Sequence, residues 1–127
     1  STTGRGYYVL GLITPNHEPT TDALNDISLY KEDLEKWGGS IVLLFNDESA
    51  ASRFNAAQFP GLPSTVVFGT DINGNIFKEI AENMKLTSSE RPVFIVADTF
   101  NRIVYIIQGY NIGLGEKLTD VLHKVGR

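Results

Sequence analysis

The residues of this sequence that could carry chemistry gather in a few places. The segment Thr14-Pro15-Asn16-His17-Glu18-Pro19 sets an imidazole beside a carboxylate. That pair is the minimum for a general base with a partner, or for two ligands of a metal site. Either site needs a third group. The sequence does not identify one, and His123 lies too far along the chain to be assigned to it; the plainer reading is a solvated loop and no metal site. Arg91, just ahead of Pro92, offers a bidentate clamp for an anion, or an ordinary arginine that satisfies loop carbonyls. The run Gly109-Tyr110-Asn111-Ile112-Gly113-Leu114-Gly115 precedes a helical pattern and suits either an anion cradle or a structural turn, but it does not match a phosphate-binding loop. Tyr7, Tyr8, Trp37 and Tyr110 fit an aromatic partner surface or, more commonly, a packed core.

The reactive residue that is missing matters more than those present. The 127 residues contain no cysteine. That removes disulfides, thiolate metal sites and every mechanism with a thiol nucleophile. The formal charge of −4, from 15 acids and 11 bases without a basic cluster, leaves little to neutralise a run of phosphates, so nucleic acid is not an expected partner. The apolar runs, such as Ile41 to Phe45, are far shorter than the roughly 20 residues a membrane span requires. At 42% hydrophobic content the chain has the apolar side chains for one well-packed core, and its length suits a single domain, residues 1–127. Because it begins at Ser1 and reaches a strand-like run by Tyr7, we expect a domain cut from a longer protein.

The elements that must position these groups follow from periodicity. Tyr7 to Ile13 reads as a strand, followed by a loop punctuated by Pro15 and Pro19. Thr20, Thr21 and Asp22 offer helix caps, and Leu24, Ile27, Tyr30, Leu34 and Trp37 form one apolar stripe that predicts a continuous helix up to Gly38-Gly39. Ile41 to Phe45 is apolar on both faces, the pattern of a central strand covered on both sides. Glu48 to Phe59 reads as a short helix stopped by Pro60, and Thr65 to Phe68 as a strand. Asp71 to Asn75 is a turn before a helix carrying Ile76, Phe77, Ile80 and Met84. Val93 to Ala97 and Ile103 to Ile107 make a hairpin, and Glu116 to Val125 a last helix capped by Gly126. The order β-α-β-α-β-α-β-β-α predicts a central sheet with helices on both faces.

Taken in sequence, these phrases resemble the thioredoxin-like superfamily, in its redoxin branch of TlpA-type oxidoreductases and peroxiredoxins. Tyr8 to Ile13 resembles the strand leading to the active-site loop, Ile41 to Asp47 the next strand with its acidic end, and Phe59 to Asp71 the inserted strand of the branch. Arg91 to Asp98 (RPVFIVAD) resembles the phrase of a proline, an apolar strand and an acid that precedes the closing hairpin and helix. The resemblance spans nearly the whole chain. It implies a three-layer α/β/α sandwich with a mixed sheet of about five strands, and it makes Pro92 the counterpart of the family's cis-proline. Arg91 resembles the arginine that peroxiredoxins aim at their thiolate. Thr14 and His17 fall on the two sulfur positions of a Cys-x-x-Cys pair, and a peroxiredoxin-style alignment also sets His17 near the missing thiol.

The family's chemistry does not carry over. A threonine hydroxyl is scarcely ionised near neutral pH and an imidazole cannot form a mixed disulfide. The expectation is therefore a redox-inactive interaction or structural module, without a cofactor, whose partner is a neighbouring domain of its parent protein or another protein. Domains with this phrasing resemble the C-terminal thioredoxin-like domains of larger exported bacterial proteins, attached to transglutaminase-like or protease-like partners. A rival expectation is a repurposed catalytic, anion-binding or carbohydrate-binding cleft. Its candidate residues are Thr14, Asn16, His17, Glu18, Arg91 and Pro92.

Overall fold

The structure, a computed structural model, describes residues 6–125. A five-stranded mixed sheet forms its centre, in the order β3-β2-β1-β4-β5. Strands β1 (Tyr7–Ile13), β2 (Ile41–Phe45) and β3 (Val66–Thr70) run parallel, and β4 (Val93–Asp98) and β5 (Ile103–Gln108) complete the sheet as an antiparallel hairpin beside β1. The middle position belongs to β1, and β2 lies inside the sheet between β1 and β3. This corrects the expectation that Ile41–Phe45 is the central strand. Both strands are buried on two sides, which is why their apolar patterns look alike.

Alternate side chains of the strands enter two separate cores. Val9, Ile13, Leu43, Phe45, Phe94 and Val96 pack under α1 (Glu18–Ser28), α2 (Lys31–Trp37), α3 (Glu48–Arg53) and α5 (Leu114–Val125). On the opposite face Leu10, Leu12, Leu44, Val93 and Ile95 pack under α4 (Asn75–Met84) through Ile80 and Phe77. Trp37 and the partly buried Tyr7 and Tyr110 belong to the first core and Tyr8 to the second, so these four rings are packing residues rather than an aromatic display.

The predicted long helix is two helices. The Leu29 and Tyr30 amides bond the carbonyls three residues back, Asp26 and Ile27, and the Ser28 hydroxyl donates to the Leu24 carbonyl. Tightened bonding and a competing hydroxyl both bend a helix. The apolar stripe survives the break, since Leu24, Ile27, Leu34 and Trp37 are all buried. The first of these helices also starts earlier than the threonines suggest, at Glu18. Pro19 is accommodated because amides in the first turn have no intrahelical partner.

Smaller differences have local causes. The predicted helix over Glu48–Phe59 ends at Arg53, where Phe54 turns extended, and a separate single turn covers Ala56–Gln58 with the Asn55 side chain accepting from the Ala57 amide. The inserted strand runs from Val66 to Thr70 and the last helix starts at Leu114, two residues ahead of expectation. The expected cap at Gly126 lies outside the described residues. Between β4 and β5 the register shifts, with Val96 opposite Tyr105 but Ala97 opposite Ile103, so Val104 is an extra residue that bulges the edge strand.

Candidate functional site

The antiparallel pairing of the interior strands β1 and β4 brings two distant segments together at one end of the strands. Leu12 pairs with Val93, which sets the loop after Ile13 beside Arg91 and Pro92. The Arg91–Pro92 peptide bond is cis. The topology thus joins the candidate residues at one rim.

Their side chains face different neighbours. Pro15 is buried and Asn16 takes a left-handed conformation, with φ 53°, that turns the chain into α1. His17 occupies the cap position of that helix in extended conformation, and its side chain does not cap it. Instead His17 Nδ1 shares a hydrogen bond of 3.1 Å with the hydroxyl of buried Thr20, which also accepts from the Thr14 amide at 3.4 Å. Thr20, read in the sequence as a helix cap, therefore ties the loop to the helix. Glu18 is exposed in the first turn, where a carboxylate complements the helix dipole. A crevice of about 20 Å³ lined by Thr14, Asn16, Thr20 and Phe59 opens here, with room for about one water molecule.

Arg91 turns toward the α4 layer. Its guanidinium stacks 4.8 Å from the centre of the Phe77 ring, and burial pulls its pKa below the ordinary arginine value while the Asp71 carboxylate opposes that shift. One terminal nitrogen, Nη1, is buried without a hydrogen-bond partner. His17 is held in the α1 layer and Arg91 in the α4 layer, with no hydrogen bond or ion pair between them. Among the described residues no group of three or more His, Cys, Asp or Glu side chains is placed to hold a metal ion.

Two carboxylates that sequence reading passed over do structural work nearby. Asp71 is fully buried and accepts from the amides of Ile76 and Phe77, at 2.8 and 3.0 Å, and so holds the start of α4. Its only sequence signal was a position ahead of Asn73-Gly74 and a helical pattern. Asp26 on α1 accepts from the Gly115 amide at 2.9 Å, at the beginning of α5. The glycine-rich loop thus receives an anion from its own chain. Gly115 is required there because a Cβ would stand 2.8 Å from the Asp26 carbonyl and 2.9 Å from the Tyr30 ring.

No protein-family model matches the sequence, and no curated protein matches it. Solved structures do match the fold. A putative thiol:disulfide interchange protein DsbE from Chlorobium tepidum is 17% identical, with a TM-score of 0.65 over 98% of this chain and 82% of that one. The bacterioferritin comigratory protein of Xanthomonas campestris is 11% identical, with a TM-score of 0.66 over 99% and 83% of the two chains. StoA from Bacillus subtilis is 15% identical, with a TM-score of 0.60 over 93% and 82%. The sheet order, the helices on its two faces and these neighbours agree: the chain has the thioredoxin-like fold of the redoxins and contains no cysteine.

Proposed function

We propose that this domain is a redox-inactive thioredoxin-like module that binds a neighbouring domain of a longer protein, or a separate protein, and performs no thiol chemistry. The neighbours in structure are described as a thiol:disulfide interchange protein and as a protein with alkyl peroxide reduction activity. The observation that carries the reading is the loop after β1. In place of a thiol it presents Thr14 and His17, and the Thr14 backbone amide and the His17 imidazole both bond the Thr20 hydroxyl. Disulfide exchange requires a thiolate to attack sulfur, and none exists in this chain. The purified domain is expected neither to reduce insulin disulfides nor to consume peroxide; turnover that is abolished by His17→Ala would overturn the reading. Binding is tested by titrating the labelled domain with the adjoining domain of its parent protein and following backbone NMR shifts. Shifts at Asn16, His17, Arg91 and Val93 support a partner at the rim.

A second reading, a small-anion site at the Arg91 guanidinium on the α4 side of the sheet, is favoured by one observation: the buried Arg91 Nη1 without a partner. Phosphate titration separates the two. Shifts at Arg91 and Phe77 that vanish in Arg91→Lys support the anion site, and flat titration curves remove it.

A further inference from the structure

We infer that the β3 edge is a docking edge for an extended segment of a partner protein, one with alternating apolar side chains and a basic residue beside Thr70. The inference rests on the interaction reading above and gives it a second surface and a ligand chemistry. Strand β3 closes one side of the sheet, and among the described residues no strand pairs with its outer side. Its five residues pair with β2 in unbroken register. From Thr65 to Thr70 it carries no charge and no proline. Natural edges are ordinarily blunted by lysine, proline, a bulge or a covering element. The opposite edge, β5, has such a bulge, and β3 has none of these devices within the strand.

The side chains next to this edge suit an added strand. Val67 is 57% exposed on one face of the sheet and Phe68 37% exposed on the other. Phe68 stacks at 5.9 Å on Phe45 and lies 5.2 Å from Phe54, and these rings with Ala51 and Gly69 line an apolar groove of about 350 Å³ along the strand. Backbone pairing with pockets for alternate side chains is how extended peptides bind sheet edges.

Charge selects the occupant. A concavity at the C-terminal end of β3 is lined by the exposed Asp47 and Glu48 together with Ser49, Thr70, Ile72 and Asn73, and by no basic side chain. At the other end the Glu35 carboxylate accepts from the Ser64 amide. A second copy pairing antiparallel through its own β3 therefore sets Asp47 and Glu48 against Glu35, whose charge Lys31 accompanies, and finds no net cationic end to meet them. A partner strand with a cationic end meets the opposite charge.

The test is a titration of the isotopically labelled chain with a short synthetic peptide of alternating valine and threonine that begins with two lysines. Antiparallel pairing sets those lysines beside Thr70. The expected result is NMR shifts and slowed amide exchange between Val66 and Thr70. Glu48→Lys should weaken binding about fivefold at low salt, a difference that shrinks as salt rises. Val67→Lys, an exposed substitution that puts a charge on the edge, should abolish it. Equal affinity in either variant, or peptide shifts confined to another surface, overturns the inference. So does a concentration-dependent dimer of the free chain with protected β3 amides, which assigns the edge to a second copy. A natural partner that shifts the Asn16–Arg91 rim and leaves β3 unmoved overturns this inference while the interaction reading stands; peptide binding at β3 with a silent rim does the reverse for the rim.

Discussion

Several carboxylates of this chain act as caps and clasps: Asp26, Asp47, Asp71 and Asp98 each accept from backbone amides. Asp98 accepts from the Phe100 and Arg102 amides at 2.9 and 3.0 Å and from Arg102 Nε at 2.7 Å. The Arg102 backbone bond is the largest cause of a carboxyl pKa below the ordinary aspartate value of 3.8, and burial opposes it. A depressed folded-state pKa means that the unfolded chain takes up a proton first as pH falls. The contribution of Asp98 is thus fully present above its unfolded value and is lost as pH drops through the lower folded one. Acid denaturation should show this. As pH falls through about 4 and below, the wild type should lose more stability than Asp98→Asn, and parallel curves would contradict the assignment. Asp26 also clasps backbone, accepting from the Gly115 amide. Asp26→Ala strands the Gly115 amide and should cost about 1–3 kcal/mol by denaturant midpoint. The sequence placed His17, Glu18 and Arg91 on one rim because strand pairing alone decides which backbones meet. It did not show where their side chains turn, nor that Asp26 meets a residue 89 positions away, since both depend on how helices pack over the sheet.

The elements show where periodicity informs and where it stops. Strands were legible because a sheet buried on both faces leaves unbroken apolar runs, as in Ile41–Phe45 and Val93–Ala97. The break between α1 and α2 was not, because Leu24, Ile27, Leu34 and Trp37 keep the same buried face across it and the stripe reads through. The tightened backbone bonds and the Ser28 hydroxyl bonded to the Leu24 carbonyl leave no trace in hydrophobic pattern. The end of α2 was readable, since Gly38 takes φ 74° and closes the helix by donating to the Leu34 carbonyl. Gly38→Ala should lower stability by about 1 kcal/mol because a Cβ disfavours that conformation. Within β1, Gly11 has a different role. A Cβ there would stand 2.7 Å from both Leu43 Cδ2 and Phe94 Cε1. The leucine end can rotate away, but the fully buried Phe94 ring has little freedom. Gly11→Ala should therefore overpack the first core and cost about 1–3 kcal/mol, readable as a lower Tm; an unchanged Tm would show that the ring relaxes.

Across the whole molecule, scaffold and chemistry are separable. The sheet order, the two cores and the rim where β1 meets β4 all exist without a cysteine at that rim. If the scaffold still presents the electrostatics that a thiolate needs, one substitution should reveal it. His17 stands at the cap of an eleven-residue helix, where unpaired amides and the positive end of the dipole favour an anion. The Arg91 backbone lies across the same rim. Glu18, adjacent and exposed, pulls the other way, but its charge is screened by solvent. We expect the thiol of His17→Cys to ionise about one unit below the ordinary cysteine value of roughly 8.5. The rate of alkylation by iodoacetamide as a function of pH measures this directly. Adding Glu18→Gln should lower the value further, and adding Arg91→Lys should leave it nearly unchanged, because that guanidinium is turned toward Phe77 and Asp71. A pKa near 8.5 would show that the helix end no longer projects its field onto residue 17. A large rise in Arg91→Lys would show instead that the arginine swings back across the rim once a thiolate is there to receive it.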